Sequence, residues 1–164
     1  YYGISKLRGE EHIQRLNGMA LTHIIRCGNV YGYSNSMRFD AVINNFMLQA
    51  NFENKISIHG TGAQTRAFIH INNTVEALAQ LPFKQVPAGI YNLVTKNLAV
   101  NDIAETITTL YPTLERLFIN QHLQLGSIRV STSSALWDYI QINEKSLLEE
   151  LTDFKNKFAF SGKK

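Results

Sequence analysis

Apolar residues recur along this chain in two rhythms that take turns. Ile4, Leu7, Ile13 and Leu16 form a loose stripe at helical spacing, closed by Asn17-Gly18, and predict a helix over residues 2–17. Residues 20–26 are apolar and partly β-branched, as a buried strand requires. A loop over 28–37, rich in Gly, Asn and Ser, leads to a second helical stripe over 39–50, made by Phe39, Val42, Ile43, Phe46 and Met47. Ile56-Ser57-Ile58-His59 alternates like a strand, Gly60-Thr61-Gly62 turns, and 67–71 reads as the next strand. Asn73 is placed to cap a helix that reaches Leu81 and stops before Pro82. A strand over 90–94 follows, then a helix begun by Asn97 or Asn101 and ended near Tyr111 by Pro112. Residues 115–131 read as β-rich and 144–156 as a helix. Leu147, Leu148, Leu151 and Phe154 are assigned to its buried face, Glu149, Glu150 and Asp153 to its solvated one, and Trp137 and Tyr139 are expected to pack against it. Strands alternating with helices give the class α/β.

Length and charge narrow the picture only modestly. With 164 residues, 45% hydrophobic and 18% charged, the chain is long enough for one sizeable core and is not of disordered composition. The formal charge is +3, and the basic residues are scattered apart from the tail (Lys155, Lys157, Lys163, Lys164). No basic stripe interleaves with aromatics, so a nucleic-acid partner is not expected. No apolar run approaches the roughly 20 residues of a bilayer span, so no membrane partner is expected either. Cys27 is the single cysteine, which fits a reducing, cytoplasmic compartment. The five histidines never adopt a metal-ligand spacing, and no metal is expected. The chain opens Tyr1-Tyr2-Gly3, with neither an initiator Met nor a basic and apolar leader, so no signal peptide is expected and the start reads as a cut in a longer protein.

Three segments carry candidate chemistry. Tyr2 and Lys6 stand one helical turn apart, on one face. A phenol, with an unperturbed pKa of about 10, is a poor proton carrier near neutrality. An ammonium one turn away stabilises the phenolate and makes it a better one. Tyr1 is the rival, but it lies five positions from Lys6 and off that face. Next, Arg26-Cys27-Gly28-Asn29-Val30-Tyr31-Gly32 follows a strand, at the carboxyl edge where open α/β sheets bind ligands. Asn29 there could donate to a phosphate or a sugar hydroxyl, although taken alone it reads first as a turn residue. Finally, Arg66 follows the glycine turn at the start of a strand. Its fork of donors suits a diphosphate, although taken alone it reads first as a surface arginine paired with a carboxylate.

In order and spacing these segments resemble the extended short-chain dehydrogenases/reductases, the NAD-dependent epimerase/dehydratase family of nucleotide-sugar epimerase type. Tyr2-Gly3-Ile4-Ser5-Lys6-Leu7-Arg8-Gly9-Glu10 resembles the family's Tyr-Gly-x-Ser-Lys-x-x-x-Glu, and Arg26 to Gly32 its Arg-x-x-Asn-Val-Tyr-Gly-Pro, with Tyr33 in the loop where proline is frequent. Gly60, Gly62, Gln64, Arg66, Phe68, Ile69 and His70 match a third motif, while Thr61, Ala67 and Asn72-Asn73 stand where it has acidic residues. The match is close over residues 1–110 and loose beyond.

The resemblance implies a Rossmann-type extended dehydrogenase fold, of which this chain would be the C-terminal portion with its substrate-binding subdomain, the N-terminal dinucleotide-binding half lying outside it. Residues 1–35 would close the Rossmann-type core, and 36–164 would be mainly substrate-binding, with a core strand returning near 90–94. It implies Tyr2 and Lys6 as catalytic residues that also touch NAD or NADP, Cys27 beside the nicotinamide, and Asn29 and Arg66 on a nucleotide-diphosphate sugar. A further phosphate arginine would be Arg129, with Arg116 its rival. His70 is expected to serve packing. A homodimer resting partly on the Tyr2 helix is the family expectation. The sequence holds no Gly-rich dinucleotide fingerprint opening a helix, so the chain alone is expected to bind NAD weakly, to be inactive and to associate through uncovered apolar surface. The alternatives are a non-catalytic nucleotide-sugar or nucleotide-binding protein of the same fold, and a dehydrogenase of a hydrophobic alcohol.

Overall fold

A computed structural model describes residues 1–158, so Lys163 and Lys164 lie outside the described residues. Helix α1 (Tyr2–Gln14) leads through a turn to β1 (His23–Cys27) and β2 (Asn29–Tyr31), then to α2 (Val42–Glu53), β3 (Lys55–His59) and β4 (Thr65–His70). Helix α3 (Ile71–Gln80), β5 (Gly89–Leu93), β6 (Lys96–Ala99), α4 (Val100–Leu110), β7 (Glu115–Ile119) and α5 (Leu147–Asn156) complete the chain. Three small sheets result: β1 pairs with β5 in parallel, β3 with β7 in parallel, and β4 sits between parallel β2 and antiparallel β6. The register aligns Ile24 with Ile90 and Asn29 with Phe68. The class is α/β, as the alternation predicts. Among the described residues no helix is long and apolar enough to cross a membrane.

Two apolar clusters hold these layers. In the larger, Ile43, Phe46 and Met47 of α2 meet Ile56 and Ile58 of β3, Ile103 and Ile107 of α4, and Leu151 and Phe154 of α5. In the smaller, Ile69 of β4, Ala77 of α3, and Tyr91 and Leu93 of β5 pack on Leu136 and Ile140. The β3–β4 turn is clamped onto α4: Asn101 donates its backbone N–H to the Gly62 carbonyl and its amide to the Thr61 carbonyl. Gly62 has φ +76°, and a Cβ there would stand 1.9 Å from the Asn101 Oδ1, so no other residue fits.

Several expectations need correction. The loop over 28–37 contains a strand, β2, and the stretch before α4 contains another, β6. The β-rich reading of 115–131 holds only for Glu115–Ile119. Helix α3 is capped by His70, whose ring nitrogen accepts the Asn72 N–H at 3.3 Å, while Asn73 lies inside the helix, buried. Helix α4 starts after Ala99, whose N–H donates to Asp102, and Asn97 instead exchanges both amide bonds with the Val130 backbone. Trp137 packs with the smaller cluster rather than on α5, and Tyr139 is exposed. Glu150 is buried and Leu148 is exposed. The Glu150 carboxylate accepts from the Tyr31 hydroxyl and pairs with the Lys96 ammonium at 3.2 Å, which also reaches Glu144 at 3.4 Å.

Candidate functional site

The carboxyl end of the parallel β1–β5 pair meets the amino ends of β2 and β4. The Gly28 N–H at the end of β1 donates to the Leu93 carbonyl at the end of β5. Gly28 lies so close to β4 that a Cβ on it would stand 3.1 Å from the Ala67 carbonyl oxygen. Beside this junction opens a cleft of about 740 Å³, bordered by Tyr2, Cys27, Asn29, Arg38, Arg66, Ile128 and Val130. A shallower extension of about 310 Å³ shares Asn29, Arg38 and Arg66 and adds Gln64 and Asp40.

Helix α1 delivers Tyr2 to the rim. It buries none of its residues. A forked pair ties it to β1: Arg26 donates to both Glu10 oxygens, at 2.9 and 2.5 Å. The pair lowers the Glu10 carboxyl and raises the Arg26 guanidinium from their ordinary values. Two residues of separate sequence motifs thus meet. The Lys6 ammonium stands 5.4 Å from the centroid of the Tyr2 ring, over its face, so the two side chains share one side of the helix. Lys6 itself does not border the cleft.

Along the cleft wall, Asn29 donates its side-chain amide to the Ala67 carbonyl at 2.9 Å, which leaves the amide oxygen free to accept from a ligand. Arg66 directs one guanidinium nitrogen to two carbonyls, Thr65 at 2.8 Å and Gly126 at 2.6 Å, and keeps its other donors for the cleft. Cys27 is exposed and borders the cleft, and desolvation raises its thiol above the ordinary value, which favours the protonated form.

Arg129 does not border the cleft. Its neighbours Ile128 and Val130 do, and Arg129 stands exposed between them, as alternation along an extended segment dictates. Arg116 sits on β7, paired in register with Ile56, and is not part of the cleft either. His70 is buried and stacks edge-on against Tyr31 at 5.3 Å. Sequence reasoning missed Arg38. The Arg38 guanidinium forks onto Asp40 at 3.1 and 2.6 Å and borders both clefts, so two guanidiniums and an amide converge on one space. Its signal was faint: one basic residue in a polar loop just before α2. A separate hollow of about 510 Å³ between Thr95, Trp137 and Glu144 holds none of these residues. Among the described residues no cluster of His, Cys, Asp and Glu is arranged to hold a metal.

Comparison with known proteins bears on this geometry. Residues 1–93 match the model of the NAD dependent epimerase/dehydratase family. The chain is 35% identical over 88 residues to dTDP-D-glucose 4,6-dehydratase of Bos taurus, covering 53% of this chain and 24% of that protein. It is 30% identical over 113 residues to UDP-sulfoquinovose synthase of Sulfolobus acidocaldarius, covering 58% and 28%. Among solved structures, UDP-N-acetylglucosamine 4-epimerase from Methanobrevibacter ruminantium superposes with a TM-score of 0.77 at 20% identity, over 94% of this chain and 52% of that one. The Helicobacter pylori ADP-L-glycero-D-manno-heptose-6-epimerase gives 0.73 at 20% identity, over 93% and 49%. The fold is therefore shared with about half the length of these structures, and the chain spans about a quarter of the curated relatives it matches.

Proposed function

The chain belongs to the NAD dependent epimerase/dehydratase family, and from that premise we propose that it carries the substrate half-site of a nucleotide-diphosphate-sugar epimerase, dehydratase or reductase. What supports this reading is the convergence of Tyr2, Asn29 and Arg66, far apart in sequence, on one cleft where the carboxyl end of β1 meets the amino ends of β2 and β4. Arg66 and Arg38 offer two guanidiniums to a diphosphate, whose oxygens match their forks. The Asn29 amide orients a phosphate or a sugar hydroxyl. Tyr2, at the rim, takes the proton from the reacting sugar hydroxyl, and the Lys6 ammonium over its ring stabilises the phenolate that remains.

The cofactor of this reading is NAD or NADP, which supplies the hydride acceptor when bound. The residues present fit its nicotinamide end: a phenol and an ammonium on one helix face, and strand-end backbone at Cys27. They do not fit its pyrophosphate, because no Gly-rich turn opens a helix anywhere in the sequence. Accordingly, residues 1–35 with β5 close the cofactor-binding core, with Asn29 at its edge reaching the substrate, and the chain by itself binds nucleotide sugar but does not turn it over.

Calorimetric titration of the chain with UDP, UDP-glucose and a steroid alcohol tests the half-site. Binding of both nucleotides, lost in Arg66→Ala, is expected, and steroid binding alone would sink the reading. In the complete protein, Tyr2→Phe should abolish turnover and leave nucleotide-sugar affinity intact. Unchanged turnover would remove Tyr2 as the proton carrier, whereas no turnover in the wild-type protein would make it a non-catalytic nucleotide-sugar-binding protein of the same fold, a reading that Ala67 favours, since it leaves Arg66 without a neighbouring carboxylate.

A further inference from the structure

Asn44 lies in the first turn of α2, at 2% exposure, where an amide is costly to bury unless both of its ends are paired. It does not serve its own helix. Its Oδ1 accepts the Gly32 N–H at 3.0 Å and its Nδ2 donates to the Arg38 carbonyl at 3.0 Å. These two groups bracket residues 32–38 of the loop between β2 and α2. Inside that loop the backbone closes one turn of its own, from the Met37 N–H to the Ser34 carbonyl at 3.3 Å. Gly32 has φ +115°, and a Cβ there would stand 2.6 Å from His70 Nε2, so the loop leaves β2 in a conformation open only to glycine. The loop thus departs at a fixed angle and is gripped at both ends by one buried side chain. At its far end stands Arg38, exposed, with a guanidinium that borders both parts of the cleft.

Resting on the nucleotide-sugar reading, we propose that Asn44 is a positioning residue: it holds the Gly32–Arg38 loop so that the Arg38 guanidinium faces the bound diphosphate beside Arg66. Asp40 holds Arg38 while the cleft is free, by a fork between two largely exposed groups, and such exposed pairs yield readily to a better anion. Asn44 acts on the backbone and Asp40 on the side chain. The first sets where Arg38 stands and the second where its side chain waits.

Two measurements on the full chain decide this. The first needs no ligand. Trypsin under native conditions should cut after Arg38 about tenfold faster in Asn44→Ala than in the wild type, while cutting after Lys84, remote from the loop, changes little. The isosteric Asn44→Asp keeps the acceptor for Gly32 and turns a carboxylate against the Arg38 carbonyl, so it should loosen the same bond without leaving a cavity.

The second measurement is UDP affinity by calorimetry. Asn44→Ala and Arg38→Ala should each weaken UDP about five- to tenfold, and the double variant should be no weaker than Arg38→Ala alone, because coupled residues fail to add. Unchanged cutting after Arg38 overturns the proposal, as does faster cutting at every basic site, which would reduce Asn44 to a stability role. A loosened loop with unchanged UDP affinity, or additive losses in the double variant, overturns it equally. A wild-type chain that binds no UDP sinks the nucleotide-sugar reading and the claim on affinity with it, while the digestion still decides whether Asn44 holds the loop.

Discussion

Arg66 spends one of its nitrogens before any ligand arrives. By reaching the Gly126 carbonyl it pins the segment after β7 across the cleft, and the rest of its rigid fork then faces the open space. Lysine cannot do both, since its ammonium is a single point on a flexible stem. Arg66→Lys should therefore weaken UDP about tenfold by calorimetry, with only a small fall in melting temperature, and an affinity equal to the wild type would show that the fork is irrelevant. The missing acidic neighbour at Ala67 made the aim of this arginine doubtful in the sequence. Backbone carbonyls supply it, and carbonyls leave no signature in the residue letters. Arg38 and Asn44 escaped notice for the same reason. Their partners are an ordinary aspartate two residues on and two main-chain groups, and no motif advertises either.

At the scale of elements, long stripes were legible and short or doubly used segments were not. Helices α1 to α5 all overlap the stretches read as helical, although α2 runs three residues later than its stripe and leaves Phe39 exposed outside it, whereas β2 and β6, of three and four residues, are too short for any period to show. The reading of α5 failed instructively. Leu147, Glu150, Leu151 and Phe154 share the spacing of one helical face, yet the charge of Glu150 placed it with the solvated residues. The spacing was right: Glu150 is buried against Tyr31 and Lys96. Glu150→Ala should cost about 3 kcal/mol in urea unfolding, because it strands a buried phenol and leaves a largely enclosed ammonium with Glu144 alone, whereas loss of an exposed glutamate such as Glu149 beyond its capping role would cost far less.

His70 sits in the same region. Burial pushes its imidazole below the ordinary value, Lys96 and Lys145 adding to the effect while Glu150 and Asp153 oppose it. Capping α3 requires an unprotonated Nδ1. A group depressed in this way stabilises the fold above its unfolded value of about 6.5, and that contribution is lost as the pH falls below it. His70→Asn keeps a capping acceptor that does not titrate. Its unfolding free energy should fall less between pH 7 and pH 5 than that of the wild type, and an equal slope would exclude His70 as the sensor.

For the molecule as a whole, the spaced motifs meet at one cleft, because Cys27 and Asn29 flank the junction of β1 and β2, Arg66 lies near the start of β4, which pairs with β2, and α1 brings Tyr2 to the rim. Pairing itself was out of reach, since nothing in a strand's letters names its neighbour. The least satisfied part of the architecture is α1. None of its residues is buried, Ile4, Leu7, Ile13 and the following Leu16 are exposed, and among the described residues β1 pairs on one side only, with β5. A helix that shows its apolar stripe to water gains by burying it against another surface, at about 25 cal/mol per Å². The chain should accordingly associate as concentration rises through the micromolar range in sedimentation velocity, and Ile4→Glu with Leu7→Glu should return it to the monomer. Because both side chains are exposed, the double variant should melt at nearly the same temperature at low concentration. A wild-type chain that stays monomeric, or a variant that unfolds, would mean that these residues already have their partners within one copy.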